Sequence, residues 1–292
     1  MKATLPTSVQ IPKVLTIAGS DSGGGAGLQA DLKVITSLGG FGMSVITAIT
    51  AQNTLGVTHI QDVDLEVVEA QIDAVLSDIG ADIVKIGMLA SPEIVRTVAN
   101  ALRKHDIKRI VLDPVLRATS GASLGGDDTA QAMIQDLFPM ATLITPNLDE
   151  ASLLLGREIA SPDDFKAAAQ ELLDMGPQAV LIKGGHLDAT HTQISDYLMW
   201  RSLEDGLEVI QAKEFKHERV PTENTHGTGC SLASAIATYL ADSHDLSHAV
   251  AKGISYVEAG LRAGRFLSIG EGPGPLWHMF EFYPTALPKE EG

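Results

Sequence analysis

The chain has 292 residues, 45% of them hydrophobic, and a formal net charge of -16 from 37 acidic and 21 basic side chains. That is apolar material enough for one large α/β domain, while the negative surface argues against nucleic acid or an anionic membrane as partner. The single cysteine excludes an internal disulfide framework and a cysteine-rich zinc site and points to a reducing compartment.

The opening "MKATLPTSVQIPK" lacks the apolar run of a signal peptide. No uncharged apolar stretch of about 18 residues exists to span a membrane, so a cytoplasmic location is expected. Short β-rich runs then alternate with helical patterns. Strands are predicted at 14–19, 44–50, 82–88, 109–115, 142–147 and 179–185, with helices at 27–38, 65–79, 91–104, 127–137, 149–155 and 163–175. The strands are nearly continuous in apolar residues, as strands buried on both faces of a parallel sheet are. The βαβ order predicts a doubly wound sheet with helices on both sides. "ISDYLMW" (194–200), a turn at 204–206 and "LEVIQAKEF" (207–215) predict an antiparallel hairpin, and helices at 229–241 and 246–263 close the chain. Residues 1–12 and 285–292 are expected to be flexible ends. The long Gly/Ser/Thr-rich loop 116–129 is a candidate lid.

In such sheets ligands bind beyond the carboxyl ends of the strands. After the first strand, Gly25 to Ala30 formally satisfies the dinucleotide pattern G-x-G-x-x-A, but the second strand ends in Gln52 and Asn53 where that pattern needs an acid. What remains is a glycine cluster that either brings backbone N–H groups to a ligand or simply turns the chain. The amide of Gln52 suits a heterocycle edge and equally suits a surface turn. Asp31, in the first turns of the helix, fits a helix-dipole contact. Lys85 interrupts an otherwise apolar strand. Asp113 ends another, where a carboxylate can hold a magnesium water or orient a ligand. Asn147 and Glu150, three apart, either share a functional face or form an N-cap with an acidic first turn. Lys183 closes the sixth strand, before Gly184 and Gly185.

"NTHGTGC" (224–230) carries the only cysteine. Gly227, Thr228 and Gly229 precede an apolar helical pattern, so free N–H groups and a partial positive charge of about one half make an anion hole there. The same field is expected to lower the Cys230 thiol from its usual pKa of about 8.5. Cys230 then either takes a proton or hydrogen bond from a substrate hydroxyl, or is a small packing residue.

Together "TIAGSDSGGGAGLQADLK", "SVITAITAQNTLGV", "KIGML", "VLDPV", "LITPNLDEA", "LIKGGH" and "NTHGTGCSLASAIA" resemble the ribokinase-like superfamily, and within it the hydroxymethylpyrimidine/phosphomethylpyrimidine kinases of thiamine biosynthesis. The resemblance implies a single ribokinase-like domain of three α/β/α layers around a mostly parallel sheet, working as a homodimer. It implies transfer of the ATP γ-phosphate to 4-amino-5-hydroxymethyl-2-methylpyrimidine, then to its monophosphate. Ala26, Asp31, Gln52, Met88, Val115 and Cys230 would surround the pyrimidine. Asp113 and Glu150 would organise Mg²⁺, with Asn147 beside them. Lys183 and Thr225, His226, Gly227, Thr228 and Gly229 would contact the nucleotide phosphates. Sugar kinases of the superfamily place an Asp base where Cys230 stands, and "GPGPLWH" departs from the family's usual ending, leaving Trp277 without a role. Pyridoxal kinase is the alternative within the fold. A nucleotide-binding regulatory protein on a degenerate kinase fold is the alternative outside enzymes, and an NAD-dependent oxidoreductase is disfavoured by the missing acid.

Overall fold

Runs of Val, Ile and Leu become central strands here because both faces of the sheet are covered. The structure, a computed structural model, describes residues 10–116, 126–159, 161, 164–185, 192–243 and 245–283. Nine strands form one sheet in the order β3-β2-β1-β4-β5-β6-β7-β8-β9. They are β1 (Lys13–Asp21), β2 (Phe41–Asn53), β3 (Gly56–Asp62), β4 (Ile83–Ile86), β5 (Ile110–Leu112), β6 (Leu143–Ile144), β7 (Ala179–Ile182), β8 (Gln193–Glu204) and β9 (Leu207–Glu218). In sheet order the strands from β2 to β7 pair in parallel, β3 and β9 form the two edges, and the pairings β3–β2, β7–β8 and β8–β9 are antiparallel. The helices are α1 (Gly27–Ser37), α2 (Leu65–Asp78), α3 (Pro92–Lys104), α4 (Asp127–Ala132), α5 (Leu148–Leu155), α6 (Phe165–Asp174), α7 (Thr228–Asp242) and α8 (Leu246–Gly264).

The alternation within each strand decides which layer it feeds. Leu15, Ile17, Val84, Ile86, Leu112 and Ile182 pack under α2 to α6, while Val14, Ile83, Val111, Leu143 and Leu181 pack under α7 and α8. This is the expected three-layer arrangement. The hairpin after β7 is also present, longer than expected. Its turn residues Asp205 and Gly206 both have positive φ (51° and 80°), the conformation that lets a two-residue loop follow strand twist.

Two features differ from the sequence reading. Residues 51–62, not assigned to any element, complete β2 and form β3, whose outer residues are exposed and so carry no apolar pattern. The helix expected over 127–137 is α4 followed by a wider π turn at Met133–Leu137 and a 3₁₀ turn at Phe138–Met140. Most of the candidate lid, 117–125, and most of both expected flexible ends lie outside the described residues.

Lys85, on β4, faces the α1/α7 layer and is fully buried. Its ammonium donates to both oxygens of Asp31 on α1, at 2.9 and 2.8 Å. Asp31 also accepts the hydroxyls of Thr16 on β1 (2.6 Å) and Ser234 on α7 (2.8 Å). Burial opposes the lysine's charge, but Asp31 first, then Cys230 and Asp113, hold its pKa above the ordinary value. Replacing Lys85 with Met would leave a buried carboxylate uncompensated and should cost about 3–5 kcal/mol in urea unfolding. Lys85→Met with Asp31→Leu should recover most of that loss. Equal losses in the single and double variants would contradict the pairing.

Candidate active site

A cavity of ≈ 620 Å³ lies at the carboxyl ends of the parallel strands. Along one wall stand Ala26, Gln52, Met88 and Val115; along the other stand Asp113, Asn147, Glu150 and Lys183; Thr225 to Cys230 close the floor between them. The segments singled out in the sequence therefore converge on one space. Asp31 does not join them. It is fully buried, it does not line the cavity, and its carboxylate is occupied by Lys85, Thr16 and Ser234. Its expected contact with substrate is corrected to a supporting role beneath the site.

The glycine turn before α1 is also different from expectation. Its N–H groups do not stand free for a ligand. Asp21, a residue the sequence reading passed over, accepts the N–H groups of Gly23 (2.8 Å), Gly25 (3.1 Å) and Ala26 (2.8 Å). Burial works against the Asp21 carboxylate, but the hydrogen bonds from His226, Ala26 and Gly23 prevail and lower its pKa. The signal for this lay in "SDSGG": an Asp two residues before glycine commonly caps its own turn.

The turn before α7 has no side-chain cap of its own. Gly227 is the N-cap, in the left-handed region at φ 79°. First-turn N–H groups have no partner within a helix, and Gly229 and Cys230 both line the cavity. A side chain at Gly229 would meet Lys183 Nζ at 3.4 Å and Asp113 Oδ2 at 3.7 Å, which shows how closely the cation and carboxylate approach this turn. Lys183 Nζ donates to Asp113 Oδ1 at 2.7 Å, and Thr145 donates to the same oxygen at 3.0 Å. Burial opposes the Lys183 charge, but Asp113 and Glu150 raise its pKa and keep it cationic.

Asn147 and Glu150 form a reciprocal capping box at the start of α5: Glu150 N–H donates to Asn147 (2.9 Å) and Asn147 N–H to Glu150 (2.8 Å). Both still line the cavity. Burial pushes the Glu150 carboxyl up to about 7; Lys183 opposes this, while Asp113 and Asp149 add to it.

Cys230 reverses one expectation. Burial pushes its thiol up to about 11, against the pull of Lys85 and the Gly27 N–H, with Asp31 and Asp113 adding to the rise. Desolvation and two acids outweigh that pull, so the group is a thiol at neutral pH.

At the β8–β9 end the cavity is lined by Asp196, His217 and Arg219, which sequence reasoning missed because they read as ordinary polar hairpin residues. Asp196 accepts the N–H of Gly184 (2.8 Å) and binds His217 (3.1 Å), and Arg219 donates to the Gly185 carbonyl (3.0 Å), so the segment after Lys183 is held from below. The C-terminal "GPGPLWH" braces the α7 turn. Asn224 accepts the N–H of Gly274 (3.1 Å), and Gly274 in turn accepts that of His226 (3.0 Å). Trp277 donates to the Tyr283 carbonyl at 2.7 Å, which gives it a place in the tail.

The family model for phosphomethylpyrimidine kinase matches residues 21–277. A hydroxymethylpyrimidine/phosphomethylpyrimidine kinase of Rhizobium meliloti is 45% identical over 270 residues, covering 92% of this chain and 97% of that protein. Among solved structures, the phosphomethylpyrimidine kinase of Clostridium difficile 630 superposes with a TM-score of 0.71 at 40% identity, covering 85% of this chain and 98% of the other. The pyridoxal kinase of Staphylococcus aureus in complex with ADP superposes with a TM-score of 0.82 at 32% identity, covering 94% and 96%.

Because Cys230 is the only cysteine, its alkylation is directly readable. The iodoacetamide rate should climb about tenfold per pH unit from pH 7 to 10, since only the thiolate reacts; a plateau near pH 8 would contradict the burial effect. Glu150→Gln keeps the box's acceptor but removes a carboxyl whose folded pKa lies above its unfolded value. The wild type therefore loses stability as pH rises from 4.5 through 7. The variant should melt several degrees higher than wild type at pH 8 and with no advantage at pH 4.

Proposed function

This chain belongs to the phosphomethylpyrimidine kinase family, and we propose that it transfers the γ-phosphoryl group of ATP to 4-amino-5-hydroxymethyl-2-methylpyrimidine and then phosphorylates the monophosphate to the diphosphate. The observation that carries this reading is the uncapped start of α7 opposite Lys183, in a cavity whose other wall offers an amide and an apolar slot. Phosphoryl transfer asks for alignment and charge stabilisation more than for covalent chemistry. The N–H groups of Gly229 and Cys230 and the Lys183 ammonium meet charge on the phosphate oxygens. Gln52 reads the ring edge, with Met88 and Val115 against its faces. Cys230, a thiol at neutral pH, lies beside the attacking hydroxyl as a hydrogen-bond partner rather than a strong base.

Among the described residues no three His, Cys, Asp or Glu side chains converge into a protein-made metal cage. Mg²⁺ does not need one: it binds through one or two carboxylates with waters and substrate phosphates. Asp113 and Glu150 fit that demand, since both carboxyl groups line the cavity beside Lys183 and the start of α7. When bound, the ion would neutralise charge on the phosphates. The homodimer belongs to the proposal too, supported by the exposed Ile49, Leu55 and Ile60 on the β2–β3 edge.

The likeness to the Staphylococcus aureus pyridoxal kinase favours one second reading, pyridoxal as substrate. An ATP-consumption assay with both compounds, with products separated by mass, should yield pyrimidine mono- and diphosphate; pyridoxal phosphate alone would overturn the substrate assignment. Cys230→Ala should lower kcat by about 10²–10³ if the thiol contacts the reacting hydroxyl. Unchanged turnover would leave Cys230 as a packing residue.

A further inference from the structure

The two glycine turns of the site interlock. An added side chain at Gly25 would run into the ring of His226, and His226 atoms are its three nearest neighbours. An added side chain at Gly227 would run into the Gly25 carbonyl, with the Ala26 Cα 3.2 Å away. Between the turns, His226 Nε2 lies 3.1 Å from Asp21 Oδ2. That oxygen already receives Gly25 and Ala26 N–H, so one carboxylate oxygen joins the α1 turn to the α7 turn. The Gln52 amide nitrogen lies 3.4 Å from the same imidazole nitrogen. A carboxylate only accepts, so the imidazole proton belongs on Nε2; that nitrogen then has no lone pair for the Gln52 amide nitrogen, and Gln52 is a neighbour of the ring, not its hydrogen-bond partner. The backbone of His226 is fixed separately, by its N–H to Gly274.

We propose that His226 is a positioning residue: it holds the phosphate-binding turn of α7 in register with the Asp21–Ala26 turn, and does not itself bind phosphate. The resemblance places His226 on the nucleotide, and it does line the cavity; the proposal gives it the turn instead. The inference rests on the kinase reading above for its kinetic test only. The imidazole is committed to Asp21, whereas the anion donors are the backbone N–H groups of Gly229 and Cys230, three and four residues further on. Reacting atoms misplaced by about 1 Å can cost on the order of 10² in rate, so a residue that sets this register acts on kcat.

His226→Ala should lower kcat by about 10²-fold, with KM for ATP and for the pyrimidine moving far less. His226→Gln, which keeps an N–H at similar reach, should recover most of the loss. Gly25→Ala should lower kcat as well, because the new methyl displaces the imidazole. The decisive variant is the pair: Gly25→Ala with His226→Ala should be no worse than His226→Ala alone, since removing the ring removes the obstacle. A rise in KM for ATP with kcat intact would overturn the proposal in favour of a phosphate contact. So would losses that multiply in the double variant, or equal losses for Ala and Gln in step with a lower Tm. Imidazole ¹⁵N spectra, assigned by comparison with His226→Gln, test the tie without any substrate. A protonated Nε2 at neutral pH is expected, and a neutral ring with its proton on Nδ1 would overturn it even if the kinase reading holds. Absence of turnover in the wild type would overturn the kinase reading and leave the spectroscopic result to decide this one.

Discussion

Two helices start side by side at the cavity floor, and a buried ion pair keeps them there. Gly27 N–H donates to the Cys230 sulfur, and one turn deeper Asp31 on α1 accepts the Ser234 hydroxyl on α7. The four-residue offset is the same on both helices, so α1 and α7 run parallel with both N-termini pointing into one cavity. Lys85 underlies the contact from β4, and Thr16 from β1. Hydrophobic packing alone would leave the two helices free to slide by fractions of a turn. A carboxylate with three fixed donor groups does not allow this, because each displaced donor would be an unsatisfied buried group.

That arrangement explains how a chain of net charge -16 can hold a polyanion. The positive potential is local and comes from helix termini, Lys183 and the deeper Lys85, not from a basic surface. The neighbouring Asp113 and Glu150 partly cancel it, which suits a site where a divalent cation shares the phosphates. The cost falls on the ionisable groups: Glu150 is held close to neutral pH and Cys230 remains protonated. Stability and function pull in opposite directions here, as they commonly do where like charges are gathered for a ligand.

Much of this was legible in the sequence. Strands buried on both faces announce themselves as apolar runs, and the Gly-Thr-Gly before an apolar helix marks the start of α7. What was hidden depends on contacts between distant residues. Lys85 and Asp31 are 54 positions apart. The signal was present all the same, since a lysine inside an apolar strand demands a carboxylate, and the sequence reading gave that carboxylate to the ligand instead. The Cys230 pKa was misjudged because a helix dipole can be read locally, whereas burial and the acids around the thiol cannot. Strand β3 was missed for the opposite reason: an exposed edge needs no apolar pattern. Asp21 and His226 show the same limit, their tie joining turns 205 residues apart.

The most direct measurement is a crystal structure with a non-hydrolysable ATP analogue and the hydroxymethylpyrimidine bound together. The account predicts the terminal phosphate on the N–H groups of Gly229 and Cys230, within reach of Lys183, with the hydroxymethyl oxygen beside the Cys230 sulfur and the ring edge on Gln52. A phosphate seated instead against the Gly23–Gly25 turn, whose N–H groups would then have left Asp21, would contradict it.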